Sequence, residues 1–480
     1  MDKETAVAVT LGAYLLVMLG IGVYARGRSL DEVGFFLGGR RLGPVVAALS
    51  ASASSSSAWT LLSVSGAAYA FGLGALWIFP ACVGGFAVNW FLLAPRLRDR
   101  TRASGALTVT SFLAEVPGPW GRRIRVLASA VILLSFTTYV SAQFQGAGKA
   151  FHETFGVSRE LSICAGAGIV LAYTLCGGFW AVSLTDAVQG TLMAATAVLL
   201  PAAAWIRVGG IEGIREGLSS AGNPAWLDPF HGLPAVSALG FVLGFLGIGF
   251  GYPGQPHVVN RFMAMRGGGA EMRRARFVSM AWAVLVYAGM ISLGISGRVL
   301  FPGLEDKEKV FLTSLHELFP PVVSGIMLAS VLSAIMSTAD SQLLVAGAAV
   351  SHDLRGSSRG GRPRSRTVVF SIGLLGVVFA LFGSREIYSV VLFAWSGLGS
   401  AFGPLLLVRC FKGPVRGGSA FAAILVGFLG SVSFRIARKA LWPEAPFLRT
   451  FGEACEYILP FLLALGIALA GAAEKARSDP

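Results

Sequence analysis

Thirteen apolar runs, 17 to 31 residues long, succeed one another along nearly the whole chain. They are Val7–Tyr24 and then 42–70, 73–95, 125–150, 161–180, 184–206, 233–262, 276–297, 321–351, 367–383, 388–408, 418–436 and 454–473. A helix rises about 1.5 Å per residue, so about 20 apolar residues cross the hydrocarbon layer of a bilayer. Backbone in that layer finds no water to bond, which leaves helices and closed barrels as the spanning structures. Runs of this length predict helices. The chain is therefore expected to be an all-α integral membrane protein with about thirteen transmembrane helices.

Composition agrees. Of 480 residues 54% are hydrophobic and 13% charged, with a mean hydropathy of +0.69, where soluble domains carry about 25% charged residues. This excludes a disordered chain, a disulfide scaffold and an ordinary soluble enzyme. The first run follows Asp2, Lys3 and Glu4 rather than a basic stretch, and no small-residue cleavage site succeeds it. It reads as a span rather than a signal peptide. The net charge of +14 would point to nucleic acid in a soluble protein, but here the basic residues lie between apolar runs. With the N-terminus outside, 26 of the 39 Lys and Arg fall in cytoplasmic segments. The strongest is Arg355–Arg366, with five arginines and no acid. The positive-inside rule then predicts a multi-pass protein with its N-terminus out and its C-terminus in. Cys82, Cys164, Cys176, Cys410 and Cys455 form no CxxC pair and read as packing residues.

Polar chemistry enters the membrane at four places. In the second span Ser50-Ala51-Ser52-Ala53-Ser54-Ser55-Ser56-Ser57 carries six serines in eight residues. Two readings stand: close helix packing through small residues, or a locally unwound helix whose carbonyls and hydroxyls line a cavity. In the ninth span Ser333, Ser337 and Ser341 follow an i, i+4, i+8 ladder, with Asp340 near the same face. Hydroxyls beside a carboxylate suit a small hard cation, which prefers oxygen ligands. Asp186 and Asp340 are the two acids well inside apolar context, and intramembrane acids default to functional hypotheses. Asp186 also reads as a helix-start carboxylate favoured by the dipole, and Asp340 as bonded to a neighbouring hydroxyl. The seventh span carries Gly244, Gly247, Gly249, Gly251 and Gly254 before Gln255-Pro256-His257, which predicts an interrupted helix. The second and seventh spans each open a set of five. Interruptions at matching places in two halves point to a transporter site. The expected organisation is a single transporter domain, 1–480, with repeat one at 42–206, repeat two at 233–408 and peripheral helices at 5–26, 418–436 and 454–473.

These residues carry a resemblance. Leu37-Gly38-Gly39-Arg40 with Leu42-Gly43-Pro44, Ala48-Leu49-Ser50 and Ser57-Ala58-Trp59 open it. Gly177-Gly178-Phe179 through Asp186 follows, then Gly254-Gln255-Pro256-His257 with Arg261-Phe262-Met263-Ala264. Met336-Ser337-Thr338 with Gln342-Leu343-Leu344, and Ala394-Trp395-Ser396-Gly397 to Ala401-Phe402-Gly403-Pro404, complete it. In order and over nearly the whole chain, the sequence resembles the sodium/solute symporters, and among their branches the sodium/proline symporters. The resemblance implies a LeuT-like 5+5 inverted-repeat fold with one helix before and two after. It implies Na+ bound at Ala53, Ser56, Ala334, Ser337 and Thr338. The substrate pocket it implies holds Ser57, Tyr139 and Tyr252, with Ser54 and Ile248 beside them. A second cation is expected among Asp186, Asp340 and Ser341. Two positions depart from the proline branch: Ser55 stands where aspartate is usual, and Ile248 stands where a tryptophan precedes the tyrosine matched by Tyr252.

The function expected is sodium-coupled import of a small organic solute, proline or a related amino acid first, by alternating access. A symporter for a carboxylate or sugar, or a proton-coupled carrier, is the alternative. A channel fits less well because the polar residues cluster at mid-membrane rather than along a continuous pore, a sensor because no signalling domain is expected, and an enzyme because no nucleophile–base pair or metal motif is evident. The expected partners are the lipid bilayer and a small-molecule substrate, with no nucleic acid and no obligate protein.

Overall fold

The computed structural model describes residues 3–25, 32–176, 179–354, 361–384, 386–441 and 446–478. The Gly177-Gly178 pair and part of the Arg355–Arg366 segment lie outside the described residues. Within them the chain is helical, with no strand and one isolated parallel bridge, Leu42 to Met265. Ten helices are long and apolar enough to cross a membrane, and Pro44–Ser55 and Arg366–Phe382 are shorter apolar helices. The expected fifth span forms Arg159–Cys176. The expected second and third spans share one helical run, Trp59–Ser104, but a helix ends within it at Gly72 (φ 56°, ψ −130°). A side chain there would stand 2.3 Å from the Trp226 carbonyl oxygen, so the turn requires glycine.

The centre is built by α1 (Lys3–Ala25), α2 (Pro44–Ser55), α3 (Val64–Phe71), α4 (Trp120–Phe155), α5 (Phe179–Val208), α6 (Ala235–Gly247), α7 (Pro256–Ala264), α8 (Gly269–Leu300), α9 (Pro321–Ala348) and α10 (Ile387–Phe411). The polarity of the bundle is inverted relative to a soluble protein. Leu16, Ile206 and Phe382 are 70%, 79% and 85% exposed, whereas Ser50, Ser54, Asp186, Ser337 and Asp340 are wholly buried. An apolar exterior around a polar centre is stable where the solvent is lipid.

Both expected interruptions are present, and they have different causes. α2 starts at Pro44, whose missing N–H costs nothing at the first helical position, and ends in the serine run. Ser56 leaves the helical region (φ −120°, ψ 89°), its N–H turned back to the Ala53 carbonyl at 3.0 Å. The Ser55 hydroxyl bonds the Ser52 carbonyl at 2.9 Å, the competition with backbone that makes serine a poor helix interior. Helical turns resume at Trp59 in a wide turn running into α3. In the second interruption α6 tightens into a 3-10 stretch, Ile248–Gly254, before α7. Pro256 at the start of α7 holds Gln255 extended (φ −92°, ψ 100°). The glycines let this stretch lie against α10: a side chain at Gly251 would meet the Trp395 indole at 1.9 Å. The Leu42–Met265 bridge, with Leu42 N–H on Ala264 O at 3.2 Å and Arg266 N–H on Leu42 O at 2.8 Å, ties the lead into α2 to the end of α7.

Candidate functional site

The end of α2 faces the middle of α9. The Ser337 hydroxyl lies 3.2 Å from the Ala53 carbonyl and 3.3 Å from the Ala334 carbonyl. The Thr338 hydroxyl lies 3.2 Å from the Ser54 carbonyl. Ala53, Ala334, Ser337 and Thr338 therefore come together as one cluster of neutral oxygens, all wholly buried. Ser56 is buried as well, its N–H on the Ala53 carbonyl and its hydroxyl toward Tyr287. The carbonyl that meets Thr338 belongs to Ser54, which joins the cluster through its backbone. Carbonyls freed at a helix end and hydroxyls from a facing helix are the ligands a desolvated Na+ accepts. The i+4 ladder advances about 40° per step, since a turn takes 3.6 residues, and its members diverge accordingly. Ser333 meets the Tyr14 hydroxyl of α1 at 2.8 Å, Ser337 the end of α2, and Ser341 a charged group.

That group is Arg261 on α7. Its Nη2 donates to Asp186 Oδ2 at 3.0 Å and to Ser341 Oγ at 2.5 Å. Its Nε donates to Ser50 Oγ at 3.0 Å, and its Nη1 to the His257 carbonyl. Its guanidinium carbon stands 5.2 Å from the Phe179 ring. Asp186 Oδ2 also accepts from Ser50 at 2.7 Å and Ser54 at 3.2 Å. Ser341 is 3.1 Å from Ser54 Oγ and donates to Asp340 Oδ1 at 3.2 Å. Asp186, Asp340 and Ser341 are thus brought together, and Ser54 joins them through its side chain. Asp186 lies two turns inside α5, beyond the first turn where a helix dipole acts, so the helix-start reading does not describe it. Asp340 does bond a neighbouring hydroxyl, yet Asp340 Oδ2 and Asp186 Oδ1 are buried without a partner.

On the other side of the break, Tyr139 of α4 donates to Ser57 Oγ at 3.3 Å. One turn along α4, Gln143 accepts from the Ala58 N–H at 3.0 Å. Tyr252 lies in an aromatic surround, 5.3 Å from Phe86 and 4.8 Å edge-on from Trp395. Its hydroxyl is 2.8 Å from that of Tyr287, which faces Thr60 and Ser56. Ile248 is buried, and its carbonyl accepts from the Trp395 indole at 3.1 Å. His257 is wholly buried and edge-on to Phe136 (5.3 Å) and Tyr139 (6.3 Å), with neither ring nitrogen hydrogen-bonded. Ser57, Tyr139 and Tyr252 therefore surround the break, together with Gln143, His257, Tyr287 and Trp395, to which sequence reasoning assigned no role. Gln143 was the detectable one, an amide in the middle of an apolar helix.

A cavity of about 650 Å³ opens at one end of the bundle, with Ser63, Phe245, Glu308, Tyr388 and Tyr457 on its walls. Tyr388 lies against Trp59 at 6.0 Å, two residues beyond Ser57. Glu308 joins four segments at its rim: it accepts from Ser63 at 2.5 Å, Lys149 at 2.6 Å and the backbone N–H of Tyr388 at 3.0 Å.

Comparison with known proteins places this geometry. The model of the sodium:solute symporter family matches residues 35–427. The osmoregulated proline transporter of Bacillus subtilis is 36% identical over 88% of this chain and 87% of its own. The sodium/proline symporter of Escherichia coli is 34% identical over 89% of this chain and 88% of its own. Among solved structures, a Na+-coupled sialic acid symporter in its substrate-bound outward-open state superposes with a TM-score of 0.72 at 18% identity, covering 98% of both chains. MhsT in complex with L-phenylalanine gives 0.53 at 15% identity, covering 88% of this chain and 98% of its own. The fold is the LeuT-like transporter fold.

Proposed function

Because the chain belongs to the sodium:solute symporter family, we propose that it imports proline, or a closely related amino acid, together with Na+ by alternating access. The single observation that carries this reading is the meeting of Ala53, Ser54, Ala334, Ser337 and Thr338 oxygens beside the Ser57–Tyr139 pair. Ion and solute then share one break in α2. Each favours the closed arrangement of the same segment, which is the linkage that coupling requires. Na+ is cargo, held by neutral oxygens from α2 and α9. The solute lies among Ser57, Tyr139 and Tyr252, where tyrosine offers an apolar ring and a polar tip. The large cavity, walled in part by the Tyr388 that lies against Trp59, is its entry path. The orientation is N-terminus out and C-terminus in, and the repeats are 42–206 and 233–408, each opening with a broken helix. A second cation lies among Asp186, Asp340 and Ser341, whose two unpartnered carboxylate oxygens are its support.

Ile248 supports one second reading, a related solute preferred over proline, since the aromatic wall at Tyr252 comes from Trp395 on another helix. Purified protein in liposomes tests both. Labelled proline should accumulate under an inward Na+ gradient and not under a proton gradient of equal force. Accumulation of another amino acid instead favours the second reading. Accumulation driven by protons alone overturns the assignment of Na+.

A further inference from the structure

We propose that Arg261 is a tethered cation that sets how many mobile cations the Asp186–Asp340 cluster holds. The inference rests on the second-cation reading above. Asp186, Asp340 and Arg261 are 0%, 0% and 1% exposed, so water screens none of them. The charged groups acting on Asp340 are Asp186 and Arg261. Two carboxylates and one guanidinium leave a single uncompensated negative charge. A buried charge without a counter-charge is costly, so the cluster takes one monovalent cation.

The geometry says where. Arg261 reaches Asp186 through one oxygen, Oδ2, and does not hydrogen-bond Asp340. The forked two-oxygen contact that arginine makes with a carboxylate when geometry permits is absent from this pair. Asp186 Oδ1 and Asp340 Oδ2 are each left buried and unpartnered, two oxygens free to take Na+. Ser341 lies between the two charges, accepting from Arg261 at 2.5 Å and donating to Asp340 at 3.2 Å. Na+ arriving at Asp340 therefore meets a hydroxyl already held by the guanidinium. The guanidinium is held on four sides, by Ser50 on α2, Asp186 on α5, Ser341 on α9 and the His257 carbonyl on its own helix. It thus links three helices around the break, and Na+ occupancy bears on all three through one fixed charge.

The experiment counts ions rather than transport. Na+ bound per protein is measured with radioactive Na+ on purified full-length protein, at alkaline pH so that protons do not substitute. Asp340→Asn neutralises the cluster and should lose one Na+. If it binds as many as the wild type, the second-cation reading itself fails. Arg261→Gln leaves two uncompensated carboxylates and should gain one Na+, whereas Arg261→Lys keeps the charge and the wild-type count. The double variant Arg261→Gln with Asp340→Asn has the wild-type net charge and should regain the wild-type count. Should Arg261→Gln alone fail to fold, the double variant is read against Asp340→Asn. One more Na+ in the double supports the tethered charge, and an equal number overturns it.

Discussion

Two oxygen clusters lie about a turn apart along the same pair of helices, α2 and α9, and differ in how they could hold a cation. The cluster at Ser337 and Thr338 is neutral: two hydroxyls facing carbonyls freed by the break in α2. The cluster at Asp340 and Ser341 is charged, two acids with one arginine between helices. A neutral cage exerts its attraction through dipoles at contact distance, so removing a ligand weakens it in steps. A charged cluster is set by whole charges in low dielectric, so removing one changes how many ions it tolerates. The contrast teaches that affinity and stoichiometry can be assigned to different residues of one site.

The comparison breaks most violently at Asp186. Replacing it with alanine removes the carboxylate that directly pairs with the buried Arg261 guanidinium, and breaking a buried pair from one side costs about 3–5 kcal/mol. A large fall in melting temperature in detergent is expected, and an unchanged one would mean that the ion pair is not formed. Next comes the neutral cluster. Ser337→Ala with Thr338→Val removes two ligands worth about 1–1.5 kcal/mol each, so the half-saturating Na+ concentration of uptake should rise about 30- to 140-fold, with folding intact. A sodium dependence like the wild type's would locate the principal ion elsewhere. Smaller again is Asp340→Asn, which leaves the Asp186–Arg261 pair in place. It should lower the Hill coefficient for Na+ toward unity while the half-saturating concentration shifts less than in the hydroxyl pair. Ile248→Trp sharpens the solute side, and should move preference toward proline by several fold, on the order of 1 kcal/mol for one added aromatic contact. An identical solute profile would separate position 248 from the ligand. The smallest effect belongs to Ser55→Ala. That hydroxyl is engaged by its own helix at the Ser52 carbonyl, so stability should change by no more than about 0.5 kcal/mol.

Much of the fold was legible along the chain because membrane helices are specified locally. Length and apolarity mark a span, glycine and proline mark an interruption, and serine density marks the break in α2. The boundary expected between the second and third spans has a visible local cause. Gly72 ends one helix inside a longer helical run because its φ is positive. The site was legible in pieces. Ser337 could be placed on a polar face, Thr338 came only through the resemblance, and Asp186 and Asp340 were conspicuous as acids in apolar context. That the Thr338 hydroxyl meets the Ser54 carbonyl could not be read, since it depends on how the end of α2 and the middle of α9 approach each other in space.

Arg261 marks the boundary between the two kinds of information. Along the chain it opens a basic stretch with Arg266, Arg273, Arg274 and Arg276 and counts as one more positive charge between spans. In three dimensions it is 1% exposed and paired with an acid 75 residues away. The sequence by itself determined that the chain spans a membrane, where its helices break and that two acids lie inside, because burial of apolar length and backbone satisfaction are properties of consecutive residues. Only the tertiary structure decided that a guanidinium lies beside those acids. A charge is buried or solvated according to what other segments bring to it, and the three that surround Arg261 come from α2, α5 and α9, each far from it in the chain.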